Sequence, residues 1–112
     1  MKVIVWEGTS KTVLRRFPEK IRKDLGTGLM YLQLGALPRD AKPFKTGASG
    51  TWELRATDGT RQYRIAYACV TRDVIHVLHC FIKKSAKTAS LDVQLIQLRY
   101  RRVLQRMRDD EK

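Results

Sequence analysis

The stretch that decides the fold is WELRATDGTRQYRIAYACVTRDVIHVLHCFIKK, residues 52–84. In its first six residues apolar and polar side chains alternate, which is the period of a half-buried strand. Asp58-Gly59 follows and is a strong signal for a two-residue hairpin turn. A return strand from Arg61 to Val70 and a third strand from Val74 to Ile82 complete a predicted meander. The third strand is apolar on both faces apart from its histidines, as expected of a central strand.

On the N-terminal side of this meander, the sequence predicts one strand and two helices. Lys2 to Trp6 is a short run rich in Val and Ile, which is typical of a strand. Ser10 is expected to cap a helix that ends near Phe17, and Pro18 to open a second helix, where a missing N–H costs nothing. The second helix is expected to end at Leu34-Gly35. Its apolar stripe, at helical spacing, consists of Ile21, Leu25, Leu29 and Leu32.

The remaining segments complete a single α+β domain over residues 1–112. Residues 36–51 are predicted to form a loop with a brief edge strand near Phe44, and a C-terminal helix is predicted from Leu91 onward. The element order is therefore β-α-α-β-β-β-α, with a mostly antiparallel sheet, an N-terminal helical hairpin and a C-terminal helix. We expect the helices to cover one sheet face and a functional site to lie on the other. The loop-forming residues are Pro38, Pro43, Gly47 and Gly50.

The chain is strongly basic, because 23 Lys and Arg residues outnumber 11 Asp and Glu residues and give a formal charge of +12. Such a charge indicates a polyanionic partner, which could be nucleic acid, an anionic membrane or an acidic protein. No apolar run approaches the roughly 20 residues of a spanning helix, and the N-terminal run is too short for a secretory signal. We therefore expect a cytoplasmic protein with no membrane partner, in which Cys69 and Cys80 form no disulfide.

The side chains that could carry chemistry are cations. Side chains at i and i+3 of a strand point to opposite faces, so His76 and His79 are not expected to share a metal ion. Carboxylates near the predicted sheet are too sparse for a paired-carboxylate hydrolase or a two-metal nuclease. We therefore expect neither a metal nor a cofactor.

The arginines of the predicted hairpin have two possible interpretations. A two-residue turn would place Glu53 opposite Arg64, with Arg55 diagonal to Arg64 on the same face and Arg61 on the other face. The arginines then form part of a phosphate site, or Glu53 and Arg64 are an ordinary cross-strand surface pair.

Lysines follow the third strand, at Lys83, Lys84 and Lys87. Lysines at a strand end are often only solubilising residues. Because sequential strands usually pair, these lysines could instead join the arginines around one phosphate. Crowded like charges would lower the pKa of a lysine and make it a plausible general base or acid.

The motifs of the meander, in this order and at these spacings, carry a family resemblance. They are Trp52-Glu53-Leu54-Arg55, Arg61-x-Tyr63-Arg64-Ile65-x-Tyr67, and Val77-Leu78-His79-x-Phe81-x-Lys83-Lys84-Ser85-x-Lys87-Thr88. Together with the order of elements, they resemble the phage-derived, Gp49-like branch of the RelE/HigB toxin family over nearly the whole chain. One departure is Ala89, where relatives often carry proline.

The resemblance implies a small RelE-like domain and the toxin of a type II toxin–antitoxin system. The implied activity is that of a metal-independent, ribosome-dependent mRNA endoribonuclease that inhibits translation. In the implied chemistry, a ribose 2′-OH attacks its own 3′-phosphate. The implied partners are mRNA, the ribosome and a cognate antitoxin, expected to be a helix-turn-helix protein encoded beside it, with DNA contacted only through that antitoxin. The alternative is a non-catalytic RNA- or ribosome-binding module, or a regulatory protein with an acidic partner.

Roles for individual residues follow from the resemblance. Arg64 and Arg55 are candidates for clamping the phosphate, because a guanidinium fork matches two phosphate oxygens. Lys83 or Lys84 could be the base or the acid, or could add only to the positive field. Tyr67 either orients the substrate or is a core aromatic. The expected catalytic residues are Arg64, Lys83, Lys84 and Arg55, and the expected substrate-binding residues are Arg61, Tyr67, Lys87 and His79. The basic residues of the helical hairpin track rRNA phosphates or form solvated helix faces, and they are Arg15, Arg16, Lys20, Arg22 and Lys23.

Overall fold

A mixed sheet organises the protein in a computed structural model that describes residues 1–45 and 48–111; the predicted loop residue Gly47 lies outside this range. Within the described residues the five strands are β1 (Val3–Trp6), β2 (Ala41–Pro43), β3 (Trp52–Thr57), β4 (Gln62–Ala68) and β5 (Val74–Lys83). The helices are α1 (Ser10–Arg15), α2 (Glu19–Gln33) and α3 (Ser90–Asp110). The sheet order is β1-β5-β4-β3-β2, and β1 with β5 is the parallel pair. The prediction of an α+β fold with a mostly antiparallel sheet, a helical hairpin and a C-terminal helix is confirmed.

The helical hairpin begins and ends close to the predicted positions. α2 starts directly after Pro18 and stops at Leu34, before Gly35 with a φ of +86°. All four residues of its apolar stripe are buried. α1 differs in one respect, because Ser10 is not its cap: the buried Ser10 hydroxyl donates a hydrogen bond to the Val77 carbonyl of β5 at 3.2 Å. A hydroxyl with no access to water needs such a backbone acceptor.

Helices cover both faces of the sheet. α1 and α2 pack on one face, the hairpin face, over residues such as Leu54 and Ile65. α3 packs on the other, the α3 face, where its Ile96 contributes to a second core. The expectation that all helices share one face is therefore wrong, because α3 carries an apolar stripe of its own that must be buried. That second core includes Ala66, Ala68, Leu78, Phe81 and Val103.

The β3–β4 hairpin has a longer turn than predicted. Arg55 pairs with Arg64 and Thr57 with Gln62, so residues 58–61 form the turn and the expected Glu53–Arg64 register is wrong. The physical reason is the Asp58 carboxylate, which accepts hydrogen bonds from the backbone N–H groups of residues 60 and 61 at 2.9 and 2.7 Å. These bonds hold the pKa of Asp58 at about 2, well below its usual value. Arg61 accordingly lies in the turn and not on the opposite face of the sheet.

An irregularity in the β4–β5 pairing changes which way the histidines point. The register shifts between Ala66 and Tyr67, so that His79 lies opposite Ala66 and His76 opposite Ala68. Residues two apart on a regular strand share a face, so both histidines lie on the α3 face. The prediction that they face opposite ways is therefore wrong, because a bulge adds one residue to the alternation.

Candidate functional site

Two arginines lie directly opposite each other on the α3 face, Arg55 on β3 and Arg64 on β4. Like charges in this position destabilise a sheet unless an anion lies close by. Glu53 supplies one negative charge, with its Oε2 3.7 Å from the Nε of Arg64. Both members of this ion pair are buried, with Arg64 4% and Glu53 6% exposed. One carboxylate is thus paired with one of the two guanidinium groups.

The guanidinium of Arg64 is held in place but not saturated. Its Nη2 donates a hydrogen bond to the side-chain oxygen of Gln62 at 2.6 Å, and its Nη1 donates one to the Tyr63 carbonyl at 3.5 Å. The Nε atoms of Arg64 and Arg55 are buried without a hydrogen-bond partner among the described residues. Burial lowers the pKa of Arg64, and the neighbouring Arg55 lowers it further, against the opposite effect of Glu53. A guanidinium group can donate two parallel hydrogen bonds to an oxyanion such as phosphate, so the chemistry of the pair is suited to such a ligand.

Both arginines line a cavity of about 630 Å³, called here the arginine cavity. It lies where β3 has a free edge, because β2 pairs only with Trp52–Leu54 and leaves the end of β3 uncovered. The cavity passes around that edge to α2. Its other lining residues are Asp24, Thr27, Asp40, Ala56, Thr57 and Gln62.

Lysines surround a second cavity of about 260 Å³, the lysine cavity, whose wall includes Glu53. Two of them, Lys83 and Lys87, are residues that the sequence predicts for the site. Sequence reasoning missed the other two, Lys42 and Lys45, because it placed the edge strand only near Phe44 and gave it no partner. The pairing of Lys42 with Glu53 brings this strand into the site. A Lys-Pro-x-Lys segment in a predicted edge strand was the signal available.

Lys84 and Arg61 lie apart from the arginine and lysine cavities. Lys84 lines a cavity of about 470 Å³ on the α1 side, together with Phe17 and Leu91, although Lys83 and Lys87 border it as well. Arg61 is exposed in the β3–β4 turn. Lys83 is the last residue of β5 and borders both the lysine cavity and this one, whereas Lys84 follows the strand and borders only this one.

Tyr67 and His79 are also placed away from the arginines. Tyr67 belongs to the core of the hairpin face and is 2% exposed, and burial raises the pKa of its hydroxyl. His79 lies under α3, where its Nε2 is 2.7 Å from the Asp92 carboxylate and its ring stacks on Phe81. Burial lowers the pKa of His79, although Asp92 acts in the opposite direction. Both side chains are used by the core, so neither reaches the arginine cavity.

Two further findings concern the described residues only. In residues 1–45 and 48–111, no three or more His, Cys, Asp or Glu side chains converge in a way that could hold a metal ion. None of the helices in this part of the chain combines the length and the apolar character needed to cross a membrane.

Comparisons with known proteins agree with the fold and the motifs. The family model described as phage-derived protein Gp49-like (DUF891) matches residues 12–101, from α1 into α3. Among solved structures, the crystal structure of the isolated E. coli RelE toxin, in its P21 form, superposes with a TM-score of 0.58. The superposition covers 96% of this chain and 99% of that chain at 12% sequence identity, so it shows a shared RelE-like fold. No curated protein matches the sequence significantly. Since the family model spans most of the chain, including the strands that carry both arginines, the protein belongs to the phage-derived Gp49-like family.

Proposed function

We propose that the protein is the toxin of a type II toxin–antitoxin system and acts as a metal-independent endoribonuclease on mRNA in the ribosome. The observation that carries this proposal is the pair of arginines, Arg55 and Arg64, which lie opposite each other on neighbouring strands and both line the arginine cavity. Membership of the Gp49-like family and the RelE-like fold support the same assignment. A scissile phosphate between Arg55 and Arg64 would receive two guanidinium forks.

The proposed reaction is an internal transfer at phosphorus. The ribose 2′ oxygen forms a bond to the adjacent phosphorus, its proton passes to a base, and the bond from phosphorus to the 5′ oxygen of the next nucleotide breaks. The leaving oxygen takes up a proton, so the products are a 2′,3′-cyclic phosphate and a 5′-OH. Fixed cations stabilise the negative charge that develops on the phosphoryl oxygens without further reorganisation.

Lys83 is the side chain to which we assign proton transfer. It lines the lysine cavity beside Glu53, whereas Lys84 lines the cavity on the α1 side. Lys87, Lys42 and Lys45 add positive potential around the same cavity and hold the flanking phosphates. Tyr67, His79 and Arg61 take no part in this proposal, because they lie in the core or in the exposed turn.

The proposed partners follow from the charge. A chain with a formal charge of +12 and a lysine-lined cavity attracts rRNA and mRNA phosphates and is neutralised by an acidic antitoxin. We propose a helix-turn-helix antitoxin, which would link the toxin to DNA, and action in the cytoplasm, where translating ribosomes are found.

The test uses ribosomes programmed with a defined mRNA and purified protein carrying Arg55→Ala. We expect the wild-type protein to leave 2′,3′-cyclic phosphate and 5′-OH ends, and cleavage to stop when the nucleotide at the cleaved position is 2′-deoxy. Arg55→Ala should lower the cleavage rate roughly 100-fold or more, the usual loss for one oxyanion-stabilising donor. The matched control is Arg72→Ala, an exposed arginine in the β4–β5 turn, which should stay within about twofold of wild type.

Three results would contradict the proposal. They are ends carrying 5′-phosphate, normal cleavage by the Arg55→Ala protein, and ribosome binding by the wild-type protein without any cleavage. The last of these would favour a non-catalytic RNA- or ribosome-binding module.

A further inference from the structure

A third cavity, the side cavity, adjoins the arginine cavity beyond the edge of β3. Its volume is about 180 Å³, and it shares four lining residues with the arginine cavity, namely Asp24, Thr27, Asp40 and Arg55. Leu25 and Leu54 supply apolar surface to it. The shared residues make the two cavities one continuous depression, with a cationic part on the sheet and an apolar part against α2.

The side cavity has two flat groups in its wall, Tyr31 and Arg39. Tyr31 is 48% exposed, so its ring is not consumed by packing, and Arg39 is exposed without an ion-pair partner among the described residues. Single-stranded RNA is bound by stacking its bases on aromatic rings and on guanidinium planes. A small apolar cavity with such walls, next to a phosphate site, has the composition of a base-binding pocket.

Two carboxylates in the shared wall, Asp24 and Asp40, indicate what the pocket recognises. The whole chain has only 11 acidic residues, and neither of these two forms an ion pair or a side-chain hydrogen bond with a described residue. A carboxylate only accepts hydrogen bonds and repels phosphate, so beside a phosphate site it is suited to the N–H groups of a base. Among the four RNA bases, only guanine presents two neighbouring N–H donors on its Watson–Crick edge, which match the two oxygens of one carboxylate.

We propose that the side cavity binds a guanine base of the RNA whose phosphate lies at Arg55 and Arg64. In this arrangement Tyr31 and Arg39 contact the faces of the ring, and Asp24 or Asp40 accepts its N1–H and N2–H groups. The guanine pocket rests on the proposed function for its RNA context, and it makes the cleavage depend on the base beside the cleaved bond.

The experiment measures binding without cleavage, by calorimetric titration of the folded protein with the four nucleoside 3′-monophosphates and with inorganic phosphate. Guanosine 3′-monophosphate should bind at least about fivefold more tightly than uridine 3′-monophosphate, the lower end for a two-bond base contact. Asp24→Asn/Asp40→Asn should reduce that preference to below twofold while the affinity for inorganic phosphate stays equal or rises. Arg55→Ala should weaken all five ligands together.

Two controls address folding and stacking. Asp73→Asn removes an exposed acid in the β4–β5 turn and should leave the guanosine preference unchanged. Tyr31→Ala should weaken the nucleotides but not inorganic phosphate, whereas Tyr31→Phe should keep the wild-type values because it retains the ring.

The results separate this inference from the proposed reaction. Equal affinities of the wild-type protein for the four nucleotides, or a preference that survives in Asp24→Asn/Asp40→Asn, would overturn the guanine pocket even if mRNA is cleaved. A guanosine preference lost in that variant would support the pocket even if no ribosome-dependent cleavage is found.

Discussion

The buried pair of Glu53 and Arg64 makes a quantitative prediction about stability that is separate from activity. Arg64→Ala leaves the Glu53 carboxylate buried without its counter-charge, and breaking a buried pair in this way costs about 3–5 kcal/mol. The lower end applies, because the 3.7 Å separation of Nε and Oε2 is longer than a hydrogen bond. We expect a loss of about 3 kcal/mol in the free energy of unfolding.

The reverse change should cost less. Glu53→Gln keeps the volume, and Arg64 retains its hydrogen bonds to Gln62 and to the Tyr63 carbonyl. We expect a loss of about 1.5 kcal/mol, below the usual cost of breaking a buried ion pair, because the remaining charge keeps two hydrogen bonds. The double variant should lose about 3 kcal/mol in total, because Arg64→Ala no longer strands a carboxylate. The coupling energy is then about 1.5 kcal/mol, within the usual range for contacting residues.

Urea unfolding of the four proteins, followed by circular dichroism, measures this cycle. With a slope of about 1–1.5 kcal/mol per molar urea, Arg64→Ala should lower the midpoint by about 2–3 M. Arg55→Ala serves as the control and should hardly move it, because Arg55 is only partly buried, and its removal relieves the repulsion with Arg64. An unchanged midpoint for Arg64→Ala, or losses in the double variant equal to the sum of the single losses, would refute the reasoning.

Four further predictions concern stability. Gly8→Ala should destabilise the protein by about 2 kcal/mol, since Gly8 has a φ of +54° and an added Cβ would lie 2.7 Å from the Arg99 guanidinium. Gly26→Ala should stabilise it by about 0.8 kcal/mol, because Gly26 lies within α2 and an added Cβ would meet open space. Urea unfolding measures both changes. Because the pKa of His79 is lowered in the folded protein, the unfolded chain binds a proton at this imidazole more readily than the folded chain does. The free energy of unfolding should therefore be unaffected by this group above pH 6.5 and should fall as the pH drops below that value. A pH series of unfolding experiments should show a weaker pH dependence for His79→Gln. Ala89→Pro should raise the melting temperature, by about 0.4–1 kcal/mol of stability, because a φ of −58° already suits proline; a lower melting temperature would contradict this.

The local patterns of the sequence were sufficient for most of the elements. The α2 stripe is detectable because residues three and four apart share a helix face, and Leu34-Gly35 marks the end of that helix through a backbone conformation that glycine adopts freely. The alternation from Trp52 to Thr57 likewise defines β3 and its two faces. The parallel pairing of β1 with β5 is not accessible in this way, because it joins residues about 70 positions apart.

The candidate site was predictable in part, for a geometric reason. The hairpin register differs from the predicted one by two residues, and a shift of two keeps every side chain on its face. Arg55 and Arg64 therefore share a face in both registers, while Glu53 moves from opposite Arg64 to a diagonal position. The Asp58 carboxylate favours the observed register through its hydrogen bonds to backbone N–H groups of the turn. The Asp58-Gly59 dipeptide indicates that a turn is present but not how many residues it contains.

The orientation of the β5 side chains and the contributions of β2 and α2 to the site could not be predicted from the sequence. The bulge adds one residue to the alternation, and nothing in an apolar strand marks where it occurs. Lys42 joins the site only through the pairing of β2 with β3, and Asp24 only because α2 borders the free edge of β3. Such contacts depend on tertiary packing between distant segments, which periodicity does not report.

The parallel pairing of β1 and β5 also has a consequence for folding during synthesis. β1 is synthesised about 70 residues before its partner, Val74 to Val77. Closing so long a loop delays folding relative to a local hairpin. Lys83 lies on the same β5, so the lysine cavity cannot form on a growing chain until β5 has been synthesised.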